Sequence, residues 1–200
     1  MTTRIRAAIP MGALVLILSG CAATTLEMTW RDPTYEGRPF AKVLVVGSTD
    51  HADTRRVFED VLVGELRAGG VEAVASHTLI PGGADIKRDE VVEAVTRSGA
   101  DSVLTTRLVG IETKSAQVAV QAPGPGDMDL YRYYSPMMEP QTTMRQDYRV
   151  ANLESNLFDA RTGKMAWWGR SQAFPTTNIG RISRELGRNV IRALKSDKLL

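Results

Sequence analysis

The chain has 200 residues, of which 43% are hydrophobic and 24% are charged. These proportions are typical of a globular protein and exclude a chain that is disordered throughout. The net charge of +2 comes from two arginines in residues 1–20, which hold no acid, so the rest of the chain carries 23 basic and 23 acidic side chains. A neutral domain has no global field that gathers nucleic acid, and we predict no nucleic-acid partner.

Residues 1–20 have the three-part pattern of an export signal. Arg4 and Arg6 precede an apolar run over residues 7–18, and two small residues follow. At about 1.5 Å per residue, roughly twelve residues span only about 18 Å of the ~30 Å hydrocarbon core of a bilayer. We therefore interpret residues 1–20 as a cleaved signal peptide rather than a spanning helix.

The end of this segment is more specific. Leu18-Ser19-Gly20-Cys21 resembles the lipobox of bacterial lipoproteins at all four positions. The resemblance implies cleavage before Cys21, lipid on its thiol and attachment to a membrane. An ordinary signal peptide followed by a chance cysteine is the alternative. Ala22 follows the cysteine where aspartate would mark inner-membrane retention, so we expect an exported protein anchored in the outer membrane and facing the periplasm.

The first half of the mature chain alternates strand and helix patterns. Residues 21–41 hold the tether, a short strand with period-2 alternation and a turn-rich connector. The sequence KVLVVG at 42–47 is typical of a strand that is covered on both faces. Asp50 and Asp53 are candidate N-caps of the following helix. A strand over 71–76, a helix over 89–98 that ends at Gly99, and a strand over 102–109 complete a pattern that favours a parallel sheet.

The second half has a different pattern. Residues 111–120 look extended, a strand over 147–158 is predicted, and Gly163 marks a turn into a returning strand over 165–174. A final amphipathic helix is predicted over 178–195. We therefore predict one α/β domain over 42–200. Its sheet is mixed, with strand-helix-strand-helix-strand followed by antiparallel strands, and it ends in a C-terminal amphipathic helix.

Two features favour binding. An inserted loop over 123–144 is rich in tyrosine and methionine, which are common at interfaces. Its candidate interaction residues are Tyr131, Tyr133, Tyr134, Met137 and Met138. The last helix carries a basic face, with Glu185 as the acid beside it, that suits anionic lipids or acidic partners. The candidate residues of this face are Arg181, Arg184, Arg188 and Arg192. A mobile hairpin tip and a solvated helix face are the respective alternatives.

We find no catalytic or metal-binding cluster in the sequence, and we expect no cofactor and no enzymatic activity. The histidines are His51 and His77, which are 26 positions apart and do not form a zinc motif. The strand end at Gly47–Asp50 lacks the glycine pattern of a nucleotide site but lies where open α/β sheets bind ligands. Trp167 and Trp168 are adjacent and should point to opposite faces of a strand.

The mature chain resembles a family of uncharacterised bacterial lipoproteins. The resembling segments are Trp30–Pro33, Gly37–Phe40, KVLVVG, Arg56–Glu59, Val71–Val74, Ser98–Leu104 and the hairpin from Asn156 to Trp167. More distantly, the order of elements is similar to the periplasmic α/β domain of the curli-secretion lipoproteins and the N-terminal domain of the Tol-system propeller proteins. The resemblance implies a fold and no activity, since fold does not fix function.

Together these observations predict a lipid-anchored, non-catalytic domain that binds other envelope proteins. A periplasmic domain that binds a small ligand or glycan at Gly47–Asp50 is the alternative. A hydrolase that uses scattered acids such as Asp50 or Asp53 is a third possibility.

Overall fold

The computed structural model describes residues 24–81, 86–119, 143–174 and 178–200. These residues form six strands, three helices and one short 3-10 turn. In chain order the elements are β1 (Thr24–Arg31), β2 (Lys42–Ser48), α1 (Ala52–Ala68), β3 (Glu72–Ala75), the 3-10 turn (Ser76–Thr78), α2 (Arg88–Ser98), β4 (Ser102–Ala119), β5 (Thr143–Asp159), β6 (Met165–Ala173) and α3 (Ile179–Ser196).

The strands form one mixed sheet in the order β1-β6-β5-β4-β2-β3. Strand β2 lies parallel to both β3 and β4. Strands β4, β5, β6 and β1 pair antiparallel, each with the next. The predicted α/β fold with a mixed sheet and a C-terminal helix is therefore confirmed.

Helices cover the two faces of the sheet unequally. On the first face, α1 and α3 pack against each other and over a large apolar cluster that includes Val43, Val45 and Trp167. On the second face, α2 covers a smaller cluster that includes Leu44 and Val46. Strand β2 is thus buried on both faces, as its continuous apolar sequence predicts.

The packing of α1 against α3 includes a glycine, Gly187. A Cβ atom placed on Gly187 of α3 would lie 2.7 Å from Leu62 Cδ1 of α1, closer than carbon atoms pack. Glycine at this position therefore leaves space for the Leu62 side chain between the two helices. In the turn between β5 and β6, Gly163 has φ of 70°, a conformation that glycine adopts without strain, as predicted.

In the β4–β5 hairpin, β4 joins the predicted strand over 102–109 to the predicted extended segment over 111–120, and β5 begins at Thr143 rather than at the predicted residue 147. The register of the hairpin runs without a break in pairing from Ser102 opposite Asp159 to Ala119 opposite Thr143, with one irregularity between Leu108 and Gly110. Residues 143 and 144, assigned to the inserted loop 123–144 by sequence, belong to β5. The rest of that loop lies outside the described residues.

The start of α1 differs from the prediction. Its N-cap is His51, which makes no side-chain capping bond, and Asp53 lies in the first turn. The prediction of Asp50 or Asp53 as the N-cap was wrong, because His51 still has extended backbone angles and Ala52 is the first helical residue, which places Asp53 inside the helix. Within the described part of the chain, no helix is long and apolar enough to cross a bilayer.

Candidate functional site: an apolar cavity and an open sheet face

A cavity of about 250 Å³ lies on the first face of the sheet, between the N-terminal halves of α1 and α3. Its floor is formed by β4, β5 and β6, which contribute Leu108, Leu153 and Ala173 among others. Phe58 of α1 and Leu186 of α3 close its inner end, and both are buried. The walls are largely apolar, because Thr106 is bonded to Ser155 (2.9 Å) and Ser183 to the Ile179 carbonyl (2.8 Å), so these hydroxyls already have partners.

Ser48 and Thr49 lie at the mouth of the cavity, where β2 ends. The sequence singled out this strand end as a ligand site, and the structure places three of its four residues, 47–49, on the cavity wall. Strands β2 and β4 are parallel and end their shared pairing at Ser48 and Arg107. The helices that follow β2 and β6 both begin here, which opens a space between them at the C-terminal ends of the strands.

A buried ionic network supports this strand end. The side chains of Arg55 and Glu59, one turn apart on α1, are 1% and 0% exposed and form an ion pair with Nε–Oε1 of 2.9 Å. Glu59 Oε1 also accepts hydrogen bonds from Gly47 N (2.9 Å) and Ser76 Oγ (2.7 Å), and its Oε2 accepts from His77 N (2.7 Å). One carboxylate therefore joins the ends of β2, α1 and β3.

The second face of the sheet has no helix over β1, β6 and β5 among the described residues. Two rows of side chains cross these strands and β4, because residues opposite each other in register share a face. The first row is Trp30, Trp168, Asn156 and Thr105, and the second is Met28, Arg170, Glu154 and Arg107. We call these two rows the open face.

The open face combines exposed apolar and charged groups. Met28 is 57% exposed and Trp30 is 45% exposed. Arg170 stacks over Trp168, with its guanidinium carbon 5.6 Å from the ring centroid. The open face also contains two buried polar atoms, Asn156 Oδ1 and Arg170 Nε, that have no hydrogen-bond partner among the described residues.

Glu154 lies at the centre of the second row. Burial acts to raise the pKa of its carboxyl, but hydrogen bonds from Asn156, Arg107 and Trp168 outweigh that effect, and the pKa is lowered overall. Arg107 donates to Glu154 Oε1 from Nη2 at 3.1 Å. The acid is therefore charged at neutral pH and held between two arginines of the same row.

The predicted basic face of α3 is largely paired. Arg184 and Arg188 both contact Glu65 of α1, at 3.7 Å and 3.1 Å. Arg181 pairs with Glu185 at 3.5 Å. Arg192 Nη1 donates to Asn189 Oδ1 at 3.4 Å. These arginines are exposed, but part of the charge of the basic face is neutralised by Glu65, which belongs to α1 and is therefore not visible in the sequence of α3.

The histidines and tryptophans have structural contacts. His77 Nε2 lies 2.7 Å from Asp60 Oδ1, and His51 is the N-cap of α1. Trp167 is fully buried and donates from Nε1 to Asp197 Oδ2 at 3.0 Å, whereas Trp168 lies on the opposite face, as predicted. Among residues 24–81, 86–119, 143–174 and 178–200, no group of three or more His, Cys, Asp or Glu is placed to hold a metal ion.

Cys21 and the five loop residues from Tyr131 to Met138 lie outside the described residues.

The sequence analysis did not predict the open face, nor did it predict that β5, β6 and α3 contribute to the cavity. The alternation of Met28 and Trp30 signalled one exposed row. It could not show that β1 pairs with β6, which brings Trp30 beside Trp168.

No protein-family model matches the chain, and no curated protein matches it. The fold is similar to that of PelC from Paraburkholderia phytofirmans, solved as a dodecamer, with 14% identity, a TM-score of 0.46 and coverage of 84% of this chain and 95% of that one. It is also similar to the lipoprotein GNA1162 from Neisseria meningitidis, with 16% identity, a TM-score of 0.42 and coverage of 78% and 99%. The likeness concerns the fold alone. The resemblance to the curli-secretion and Tol-system domains stays a prediction.

Proposed function

We propose that this chain is a lipid-anchored envelope lipoprotein whose α/β domain binds other envelope proteins without catalysing a reaction. The lipobox at residues 18–21 supports the anchor, and the open face supports the binding role. The observation that carries the proposal is the pair of cross-strand rows on β1, β6, β5 and β4, which place tryptophan, methionine and arginine side by side.

The composition of the open face is that of an energetic hot spot. Tryptophan and arginine dominate the binding energy of protein interfaces, and methionine is enriched there. The solvated face of an antiparallel sheet is normally polar. Here Met28 and Trp30 are instead about half exposed. Pairing with β6 fixes the backbone of both residues, so binding does not need to order that backbone, which lowers its cost in conformational entropy.

Photo-crosslinking in cells tests the binding role. A benzoyl-phenylalanine probe replaces Trp30, and a control probe replaces Val57, which is 38% exposed on α1 at the other side of the sheet. We expect one or a few discrete crosslinked proteins from position 30, the same after repeated preparations, and none of them from position 57. Equal patterns from the two positions would refute a binding role for the open face.

Membrane fractionation with mass spectrometry tests the anchor. The wild-type chain should yield an acylated N-terminal peptide that begins at Cys21, and the Cys21→Ser variant should not. An unmodified Cys21, or an uncut precursor, would remove the anchor from the proposal and leave the open face to be judged by the crosslinks alone.

A second candidate function is the binding of a small apolar ligand, and the cavity between α1 and α3 favours it. Pockets of this kind are concave and mostly apolar, with a few polar groups at one end, as Ser48 and Thr49 are here. A ligand that binds the folded chain raises its melting temperature. Screening envelope metabolites by thermal shift tests this function, and the variant Leu153→Trp, which fills the cavity, should abolish any shift.

A further inference from the structure

We propose that the cavity between α1 and α3 holds one acyl chain of the lipid on Cys21 of the same molecule. This inference rests on the anchor proposed above and names the ligand of the cavity. Two observations support it: the walls of the cavity are largely apolar, and the N-terminal tether keeps Cys21 close to the cavity.

The tether reaches the sheet at the cavity. Thr24 is the first residue of β1, and its partner in the sheet is Ala173 of β6, whose partner in turn is Ala151 of β5. Ala173 and Ala151 both line the cavity. Since neighbouring strands lie about 4.8 Å apart, the cavity floor begins at Ala173, about 5 Å from the Thr24 backbone, and passes Ala151 at about 10 Å.

Cys21 cannot lie far from this point. Two residues lie between it and Thr24, and each of the three steps along an extended chain covers at most about 3.6 Å, so Cys21 lies within roughly 11 Å of the start of β1. Thr24 itself is held in place, because it is 1% exposed and its carbonyl accepts a hydrogen bond from Asn189 Nδ2 of α3 at 2.9 Å. An acyl chain spans about 15 Å, half of the ~30 Å hydrocarbon core, and so reaches the cavity from Cys21.

The chemistry of the cavity matches a hydrocarbon chain. Its inner wall is Phe58 and Leu186, and its threonine and serine hydroxyls on the floor and on α3 bond within the protein. If a methylene takes the ~30 Å³ of a water molecule in the liquid, the volume of about 250 Å³ accommodates on the order of eight methylenes. Leu108, 53% exposed at the rim, continues the apolar surface outward.

The anchor tolerates the loss of one chain from the bilayer. A single acyl chain binds a membrane only reversibly, and stable attachment needs two. A triacylated cysteine therefore keeps its anchor while the third chain enters the protein. Because this chain is attached to the protein, its effective concentration at the cavity is high without any free ligand.

An intramolecular crosslink in the lipidated chain, purified in detergent, tests the inference. A benzoyl-phenylalanine probe replaces Leu108 at the rim, and a control probe replaces Val92, which is 57% exposed on α2. We expect mass spectrometry to find the position-108 probe linked to an acyl chain on the Cys21 peptide, and no such link from position 92. The link should be lost when Ala173→Phe fills the cavity floor, and Ala151→Leu serves as a milder filling variant if the first one unfolds.

The outcomes separate the two proposals. Links from position 108 to free detergent or phospholipid alone, or links that persist in both filled variants, would overturn the own-lipid occupant while leaving the anchor intact. If mass spectrometry finds Cys21 unmodified, the anchor and this inference both fall, because the proposed ligand does not exist.

Discussion

Replacing Glu59 should strongly destabilise the domain, because one buried carboxylate joins three elements. Glu59→Leu removes the carboxylate that pairs with the buried Arg55 guanidinium and that accepts hydrogen bonds from Gly47 N, Ser76 Oγ and His77 N. Breaking a buried pair by removing one partner typically costs about 3–5 kcal/mol. Each buried donor left without an acceptor costs about 1–3 kcal/mol, and these terms overlap. We expect a loss of about 4 kcal/mol in the free energy of unfolding.

The matched double variant separates the charge from the shape. In Arg55→Met with Glu59→Leu, both members of the ion pair are removed together, and replacing a buried ion pair by apolar residues is often neutral to stabilising. Two backbone donors still lack an acceptor, so we expect the double variant to be about 1–3 kcal/mol less stable than wild type and more stable than either single variant.

Urea unfolding followed by tryptophan fluorescence measures these differences, because Trp167 is fully buried in the core. The midpoints of the four proteins give a double-mutant cycle. If the costs of the two single substitutions simply add in the double variant, the ion pair contributes nothing as a unit and the reasoning is wrong. A loss of less than about 1 kcal/mol in the free energy of unfolding for Glu59→Leu would also contradict the reasoning.

Three further predictions follow from the packing, the charges and the loop. Leu186 lies on the cavity wall and is 1% exposed, so Leu186→Ala should lower the free energy of unfolding, measured in urea, by about 2–5 kcal/mol. The control Val57→Ala, at an exposed position, should lower it by less than about 0.5 kcal/mol. Similar losses for the two variants would contradict the assigned core. Because folding lowers the pKa of Glu154, the contribution of this carboxylate to stability is complete above its ordinary pKa of 4.5 and is lost as the pH falls through the folded pKa. The stabilities of wild type and Glu154→Gln should therefore converge on acidification. A stability difference that grows at low pH would contradict this prediction. Deleting residues 128–140 should leave the circular dichroism and melting temperature of the domain unchanged and, if the loop binds a partner, remove a crosslinked protein; unfolding of the domain would show that the loop is structural.

The sequence correctly predicted those elements whose local residue pattern matches their environment in the fold. The run KVLVVG alone identifies a strand covered on both faces, and Gly99 and Gly163 mark turns because both adopt positive φ. Strand β4 was predicted in two parts, a strand over 102–109 and an extended segment over 111–120, which the structure joins into one strand. Its distal half, with Thr113, Lys114 and Ser115, has no apolar face and is held by pairing with β5, which a single segment does not reveal.

The charged residues show the same limit more sharply. Arg55 and Glu59 have the spacing of an exposed helix pair, yet both are fully buried because α1 turns this face toward Gly47 and Ser76. The arginine stripe of α3 looked unbalanced in sequence because its acid, Glu65, lies on another helix. Such partners are set by helix packing, and no spacing within one element encodes them.

The cavity and the open face share strand β4, and the geometry of that strand implies that they work independently. Thr106, Arg107 and Leu108 all contribute to the cavity, and the Arg107 side chain also pairs with Glu154 of the open face. Coupling between two sites needs an element with two alternative arrangements that both ligands bias. Here β4 is paired with β2 as far as Arg107 and with β5 along its length, and the Thr106–Ser155 hydrogen bond ties it further to β5, which favours a single arrangement. An acyl chain in the cavity should therefore leave the affinity of the open face unchanged, and the cavity-filling variant Ala173→Phe should keep the crosslinks from position 30.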